Sequence, residues 1–240
     1  MSGFRERIMA SAEDKRSRIV LALDFAGPFE SRLARAGRVL SETQDHVAAV
    51  KLNHHLMLPF GLEGLKGVIS ACKARRLPMI ADLKMNDVES TNLNIVDSLL
   101  SYGIDAVIAN PFVGREEGLG KVIEELHRRE GGILLLVYMS HRGADEGYAL
   151  KTEDGTPFYR VFARRAKVWG ADGVVVSARS PEMIREIKGI VGKGCLTFAP
   201  GVGTQGGTME SASGADFVIV GRSITEAADP AGALRKLNSA

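Results

Sequence analysis

Phe217-Val218-Ile219-Val220, closed by Gly221-Arg222-Ser223, is an apolar strand-length run with no in/out alternation, and Val174-Val175-Val176 is a second run of the same kind. A strand that is apolar on both faces is covered on both faces, which is the situation of a parallel sheet flanked by helices. Six further apolar or β-branched runs lie upstream or between, so that eight candidate strands fall at 18–23, 47–52, 78–83, 105–110, 132–139, 173–177, 195–199 and 216–220. Each is followed by a segment of helical periodicity. Their starts stand about 20 to 40 residues apart, the length of a strand, a crossover helix and two loops. Eight such units in 240 residues predict a closed (β/α)8 TIM barrel in the α/β class, with an open doubly wound sheet as the alternative. No linker interrupts the series, so residues 1–240 read as a single domain, with 1–17 as an N-terminal helical extension. Ser180-Pro181-Glu182 marks one helix start, a capping hydroxyl before a proline at the first helical position.

Composition agrees with a globular chain: 45% apolar, 25% charged and 6% aromatic residues exclude collagenous, disordered and disulfide-scaffold classes. Charge is balanced, 31 Lys+Arg against 29 Asp+Glu, which points to no nucleic-acid and no membrane-surface partner. The longest apolar run, 133–139, is far short of the roughly 20 residues of a spanning helix. The charged residues between Arg5 and Arg18 leave no apolar signal-peptide core, so a cytoplasmic location is expected. Cys72 and Cys195 have no ligand-like spacing and read as reduced, buried small hydrophobes.

Barrels carry their chemistry at the C-terminal ends of the strands. Here the first strand ends in Asp24, the second in Lys51, and the third runs Ile80-Ala81-Asp82-Leu83-Lys84-Met85-Asn86-Asp87. Period-two geometry sends Asp82 and Lys84 to one side of the sheet. One Asp-x-Lys alone is most simply a solvated ion pair. Barrel closure, however, gathers Asp24, Lys51, Asp82 and Lys84 into one mouth, where isolated charges are costly and a paired array indicates function. Neighbouring carboxylates hold such lysines protonated against desolvation, so one of them can serve as a proton donor.

A second cluster is Ala199-Pro200-Gly201-Val202-Gly203-Thr204-Gln205-Gly206-Gly207 after the seventh strand, with Gly221-Arg222-Ser223 after the eighth. These two loops form the usual phosphate site of a barrel, and Arg222 adds a charged fork. Gly201 to Gly206 also fits G-x-G-x-x-G, yet it follows the seventh strand of a series and no acidic residue ends a later strand at the right distance, which argues against a dinucleotide site. His46, His54, His55, His127 and His141 lack metal-ligand spacing, so no metal is expected. The basic groups Arg75-Arg76 and Arg164-Arg165 sit on helical segments as solvated faces, and Trp169 reads as packing. The polar, glycine-containing stretch 140–157 is a candidate functional loop. Ser140 within it lacks a nucleophile elbow and suits a hydrogen-bonding role.

Asp82-x-Lys84-x-x-Asp87 followed by Thr91 resembles the signature of the orotidine 5′-phosphate decarboxylase family. The likeness extends from Leu21-Ala22-Leu23-Asp24 through Ala48-Ala49-Val50-Lys51, Met139-Ser140-His141 and the loop from Pro200 to Val220-Gly221-Arg222-Ser223. Asn110-Pro111-Phe112-Val113-Gly114 departs from it, since many members have a histidine-containing segment there. Metal-dependent 3-keto-gulonate 6-phosphate decarboxylases and hexulose phosphate synthases share Asp-x-Lys-x-x-Asp, but they carry a metal-binding acidic segment where this chain has Lys51. A barrel that binds a phosphorylated ligand without turning it over is the third reading.

What the resemblance implies is conversion of orotidine 5′-phosphate to uridine 5′-phosphate and carbon dioxide in pyrimidine biosynthesis, with no cofactor. It further implies that Lys84 protonates C6, that Asp82 lies against the substrate carboxylate, and that Lys51 and Asp24 position the ribose. Ser140 then holds the pyrimidine amide. Gln205 and Arg222 grip the phosphate, and Pro200, Val202, Gly203 and Gly221 of the same two loops bind substrate. Asp87 and Thr91 come from the second subunit of a homodimer with shared active sites.

Overall fold

The computed structural model describes residues 3–203 and 206–239. Eight parallel strands among them close into a barrel in sequence order: β1 Ile19–Ala22, β2 Ala49–Asn53, β3 Met79–Met85, β4 Ala106–Ala109, β5 Gly132–Leu136, β6 Gly173–Val175, β7 Leu196–Pro200 and β8 Phe217–Val220. Closure is made by β1 pairing with β8, Ile19 opposite Val218. All eight lie within or against the runs anticipated from the sequence, and the open sheet is ruled out.

Alternation within each strand sorts its side chains into two cores. Val20, Ile80, Ile108, Leu134, Phe198 and Phe217 point inward and pack with the rest of the barrel interior, where the Phe198 and Phe217 rings stack at 5.1 Å. Leu21, Val50, Val107, Ile133 and Val218 point outward into the larger core shared with the helices. Those helices are α1 Phe4–Lys15, α2 Phe29–Thr43, α3 His54–Gly64, α4 Lys66–Ala74, α5 Glu89–Tyr102 and α6 Gly120–Arg128, then α7 Asp145–Tyr148, α8 Phe158–Trp169, α9 Pro181–Val191, α10 Arg222–Thr225 and α11 Pro230–Asn238. At the head of α9, Ser180 accepts the Met183 N–H at 3.3 Å.

The N-terminal end of the barrel is closed by α1, whose Phe4 and Ile8 are fully buried in the interior core. Burying side chains of this size stabilises by roughly 1.5–3 kcal/mol each. Gly132 is required beneath it, because a Cβ there would run into the Phe4 ring. The same rim carries a repeated device. Gly103-Ile104-Asp105-Ala106-Val107, Gly170-Ala171-Asp172-Gly173-Val174 and Gly214-Ala215-Asp216-Phe217-Val218 each lead into an even-numbered strand. Each aspartate accepts an N–H from the start of the preceding strand: Met79 to Asp105 at 2.8 Å, Ile133 to Asp172 at 2.9 Å and Thr197 to Asp216 at 2.8 Å. Each also has a basic partner, respectively Arg7, His127 and Lys188.

The described residues hold no helix long and apolar enough to cross a membrane. Cys72 and Cys195 are free and buried, and burial pushes both thiols up to about 12. That leaves them as small inert hydrophobes.

Candidate active site

At the opposite end of the barrel the interior layer changes from apolar to charged. On β2, Ala49 and Lys51 face inward while Val50 and Leu52 face the helices, so the Lys51 side chain rises through the barrel wall and is buried. Register places Ala22 beside Lys51 and Asn53 beside Asp82. The Lys51 ammonium lies 2.7 Å from Asp82 Oδ2 and 3.9 Å from Asp24 Oδ1. The other Asp82 oxygen, Oδ1, accepts from Lys84 Nζ at 2.7 Å. One buried carboxylate is therefore shared, one oxygen each, by two ammonium groups.

Asp82 and Lys84 meet as expected, though not through the simple pleat. Between β3 and β4 the register slips, Ala81 pairing Val107 but Met85 pairing Ala109, so extra β3 residues are bulged out. Within the bulge Lys84 adopts φ 48°, a left-handed conformation that side chains other than glycine avoid. The bulge brings the ammonium back over the Asp82 carboxylate. Holding a lysine there costs on the order of 1–3 kcal/mol, which the pairing of β3 with β4 and the contact with Asp82 offset.

The electrostatics of the array are set by burial against pairing. Burial is the strongest influence on Lys51 and alone would pull its pKa down, but the Asp82 and Asp24 carboxylates outweigh it and the value stands above that of an ordinary lysine. Asp82 is the converse: burial pushes it up most strongly, the two lysines together overcome that, and the carboxyl is held below its usual range. Lys51 and Asp82 are thus both held in their charged forms at neutral pH. Lys51 is only 6% exposed, whereas Lys84 keeps 34% of its side chain open, so Lys84 is the ammonium that can meet a ligand.

These groups line one wall of a cavity of about 220 Å³. Its floor is apolar, formed by Ala22, Ile108, Leu136, Val175 and Ile219. The far wall is made by Pro200, Gly201 and Val202 after β7 with Gly221 and Arg222 after β8, while Met139 and Ser140 come from the end of β5. The loop after β7 folds back by hydrogen bonds from Gly203 N to Gly207 O at 2.8 Å and from Gly207 N to Gly201 O at 3.0 Å. Gly203, at φ 84°, leaves to the Ser223 hydroxyl the space a Cβ would occupy, so the two loops approach closely there. Gln205 lies outside the described residues. Past Ser140, Tyr138 donates its hydroxyl to Asp145, tying α7 to the strand end. Burial first and Asp145 second push the Tyr138 phenol up to about 12, so it remains a donor.

Asp24 stands two residues beyond the end of β1 and still reaches the array. Asp87 and Thr91 do not: both are exposed, outside the cavity of their own chain, and Asp87 Oδ1 accepts the Val88 N–H at 2.7 Å. Sequence reasoning missed Asn53. Its amide donates to Asp24 Oδ1 and its side-chain oxygen caps α3, accepting from His55 N at 2.9 Å. Its place two residues after Lys51, on the same side of β2, was the available signal. The cap also accounts for His54-His55 as the exposed first turn of α3.

An eight-stranded parallel barrel with a paired Lys/Asp array facing a glycine- and arginine-bearing loop pair defines a barrel enzyme for a small phosphorylated substrate. Residues 17–237 match the Orotidine 5′-phosphate decarboxylase / HUMPS family, and the chain belongs to it. It is similar to the orotidine 5′-phosphate decarboxylase of Pyrococcus abyssi, 36% identical over 222 residues that cover 91% of this chain and 96% of that one. Among solved structures, the orotidine 5′-phosphate decarboxylase of Pyrococcus horikoshii OT3 superposes with a TM-score of 0.72 at 31% identity, over 92% of this chain and 97% of that one. The Methanocaldococcus jannaschii orotidine 5′-monophosphate decarboxylase, complexed with the inhibitor BMP, gives 0.78 at 28% identity, over 93% and 97%.

Proposed function

We infer that this chain decarboxylates orotidine 5′-phosphate to uridine 5′-phosphate and carbon dioxide, in pyrimidine biosynthesis. The observation that carries the mechanism is the Asp82 carboxylate held between Lys51 and Lys84 across the cavity from Arg222. As the C6–carboxylate bond breaks, its electron pair stays on C6 of the pyrimidine. That carbanion has no conjugative outlet and needs a fixed positive charge beside it. Lys84 supplies the charge and then the proton, and its partial exposure lets solvent reprotonate it. Asp82 fixes the direction of that ammonium and lies beside the departing carboxylate. Lys51 and Asp24 hold the ribose, and Ser140 reads the pyrimidine amide. Pro200, Val202, Gly203 and Gln205 with Gly221 and Arg222 grip the phosphate, whose binding energy is used to organise the charged residues.

The assembly is a homodimer in which the partner subunit's Asp87 and the partner subunit's Thr91 complete each site. Exposure of both residues, with Val88 between them 56% exposed, supports that reading, because a segment of this kind is free to reach another copy. We place the protein in the cytoplasm, the location expected of a pyrimidine-pathway enzyme of this family. In place of the acidic ligands of the metal-dependent relatives stands Lys51, so no metal or other cofactor is assigned a step.

Loss of orotate absorbance on adding the nucleotide tests the assignment. Wild-type protein should consume the substrate, and Lys84→Ala should be slower by about 10³-fold or more, since both proton donation and charge stabilisation are lost. No turnover by folded wild-type protein would leave a ligand-binding barrel instead. A Lys84→Ala variant within about tenfold of wild type would remove Lys84 from the chemistry.

A further inference from the structure

Immediately after Arg222 the chain turns back onto the segment that carries Asp24. At the end of α10, Thr225 Oγ1 donates to the Asp24 carbonyl at 2.6 Å. The next residue, Glu226, accepts the Ala26 N–H on Oε1 at 3.0 Å and Arg35 Nη2 on Oε2 at 2.6 Å. Arg35, from α2, donates its other Nη to the Ala26 carbonyl at 2.7 Å and lies 5.0 Å from the Phe25 ring centroid. Both backbone polar groups of Ala26 are thus held by the two halves of a single ion pair. From the other side, Gly221 leaves the space its Cβ would need to the Asp24 carboxylate, at 3.1 Å from Oδ2.

A half-exposed ion pair contributes little to stability by itself. This one acts on the stretch between β1 and α2 where the ladder ends, the last bond to β2 being Leu23 N–H to the Lys51 carbonyl at 3.0 Å and the Asp24 N–H turning back to the Ala22 carbonyl at 2.8 Å, and the stretch bears one of the four charges of the array. Asp24 is therefore located by the loop after β8 through its carbonyl, through Ala26 and through the close approach of Gly221.

We propose that Glu226 and Arg35 are positioning residues that couple the Arg222 end of the cavity to Asp24, so that engaging a phosphate at Arg222 sets the Asp24 carboxylate against Asn53 and Lys51. The coupling rests on the reading of Arg222 as a phosphate contact. Neither residue touches substrate. Their effect is to make distant binding energy available where the charges act.

A double-mutant cycle on the intact enzyme separates this from plain scaffolding: Arg222→Ala, Glu226→Ala and the double variant, with kcat and KM for orotidine 5′-phosphate and a melting curve for each. Glu226→Ala should lower kcat about 5- to 10-fold with little change in KM, and the same substitution in the Arg222→Ala background should cost less than about 2-fold. Arg35→Ala removes the pair from α2 and should give the same non-additivity, which keeps the test open if Glu226→Ala folds poorly. Losses that multiply, a loss confined to KM, or no loss would overturn the coupling. If Arg222→Ala leaves KM unchanged, the phosphate contact itself falls and the coupling with it; if Arg222→Ala raises KM and the losses multiply, the coupling alone falls.

Discussion

Replacing Asp82 by asparagine keeps the side-chain volume and removes the negative charge from between two ammonium groups. Lys51 then stays buried with Asp24 Oδ1 at 3.9 Å in place of a carboxylate at 2.7 Å. At an effective dielectric of about 20, the attraction lost is about 6 kcal/mol and the one retained about 4, against a desolvation cost of several kcal/mol. Removing one partner of a buried pair costs about 3–5 kcal/mol, and Asp82→Asn should lose that much stability near neutral pH. The loss depends on pH with a definite sign. In the wild type the Lys51 value is raised, so its contribution is fully present below the ordinary 10.5 and fades as pH rises through the native value. In the variant, burial pulls Lys51 below 10.5, and stability gains as pH rises. Asp82 is held below its ordinary 3.8, so its contribution is present above 3.8 and is lost as pH falls through the native value. The gap between the two proteins in urea unfolding should be widest from about pH 5 to 9 and narrow on both sides. A gap under about 1 kcal/mol at neutral pH, or one flat across the range, would refute this account of the array.

Two further outcomes follow from the same site. Activity should survive exhaustive chelation, and full dependence on re-added magnesium would promote the metal-dependent relatives. Lys84→Ala and Asp87→Ala chains, each nearly inactive alone, should recover roughly a quarter of wild-type activity when unfolded together and refolded, because about half the dimers are mixed and each holds one intact site of two. Mixed dimers confirmed by mass with no recovery would place Asp87 in the site of its own chain.

The barrel was readable because eight apolar or β-branched runs recur, some without any in/out alternation as in Val174-Val175-Val176 and Phe217-Val218-Ile219-Val220, each followed by helical periodicity; that pattern survives without any knowledge of partners. Asp82, Lys84, Lys51 and Asp24 were readable as charges at strand ends, which a core does not tolerate singly. The bulge at Lys84 was not, since a left-handed lysine has no local sequence cause and is imposed by the fit of β3 on β4. The family resemblance already set Asp87 and Thr91 apart from the cavity of their own chain; periodicity alone does not encode it, because it depends on where the turn after β3 and the first turn of α5 point. Glu226 and Arg35 escaped notice because their partner Ala26 lies at the other end of the chain from Glu226, and a surface ion pair has no signature at such a distance.

The aspartates on the opposite rim make the barrel a set of two-strand modules. β3 with β4, β5 with β6 and β7 with β8 are each stitched by the same carboxylate-to-amide bond from the same five-residue lead-in. The β1–β2 pair has Ala48 where the others have aspartate, and its first amide, Ile19 N, donates instead to Ser17 Oγ at 3.1 Å. Ser17 is in turn held by Asn238 near the other end of the chain, and Ala48 is reached by Ser11 of α1. The one module without its own stitch is thus the module at which the ring closes, and both chain ends are drawn in to fasten it. Trimming either terminus would loosen a seam at the base of β1 and β2, the two strands that carry Asp24 and Lys51 upward to the mouth.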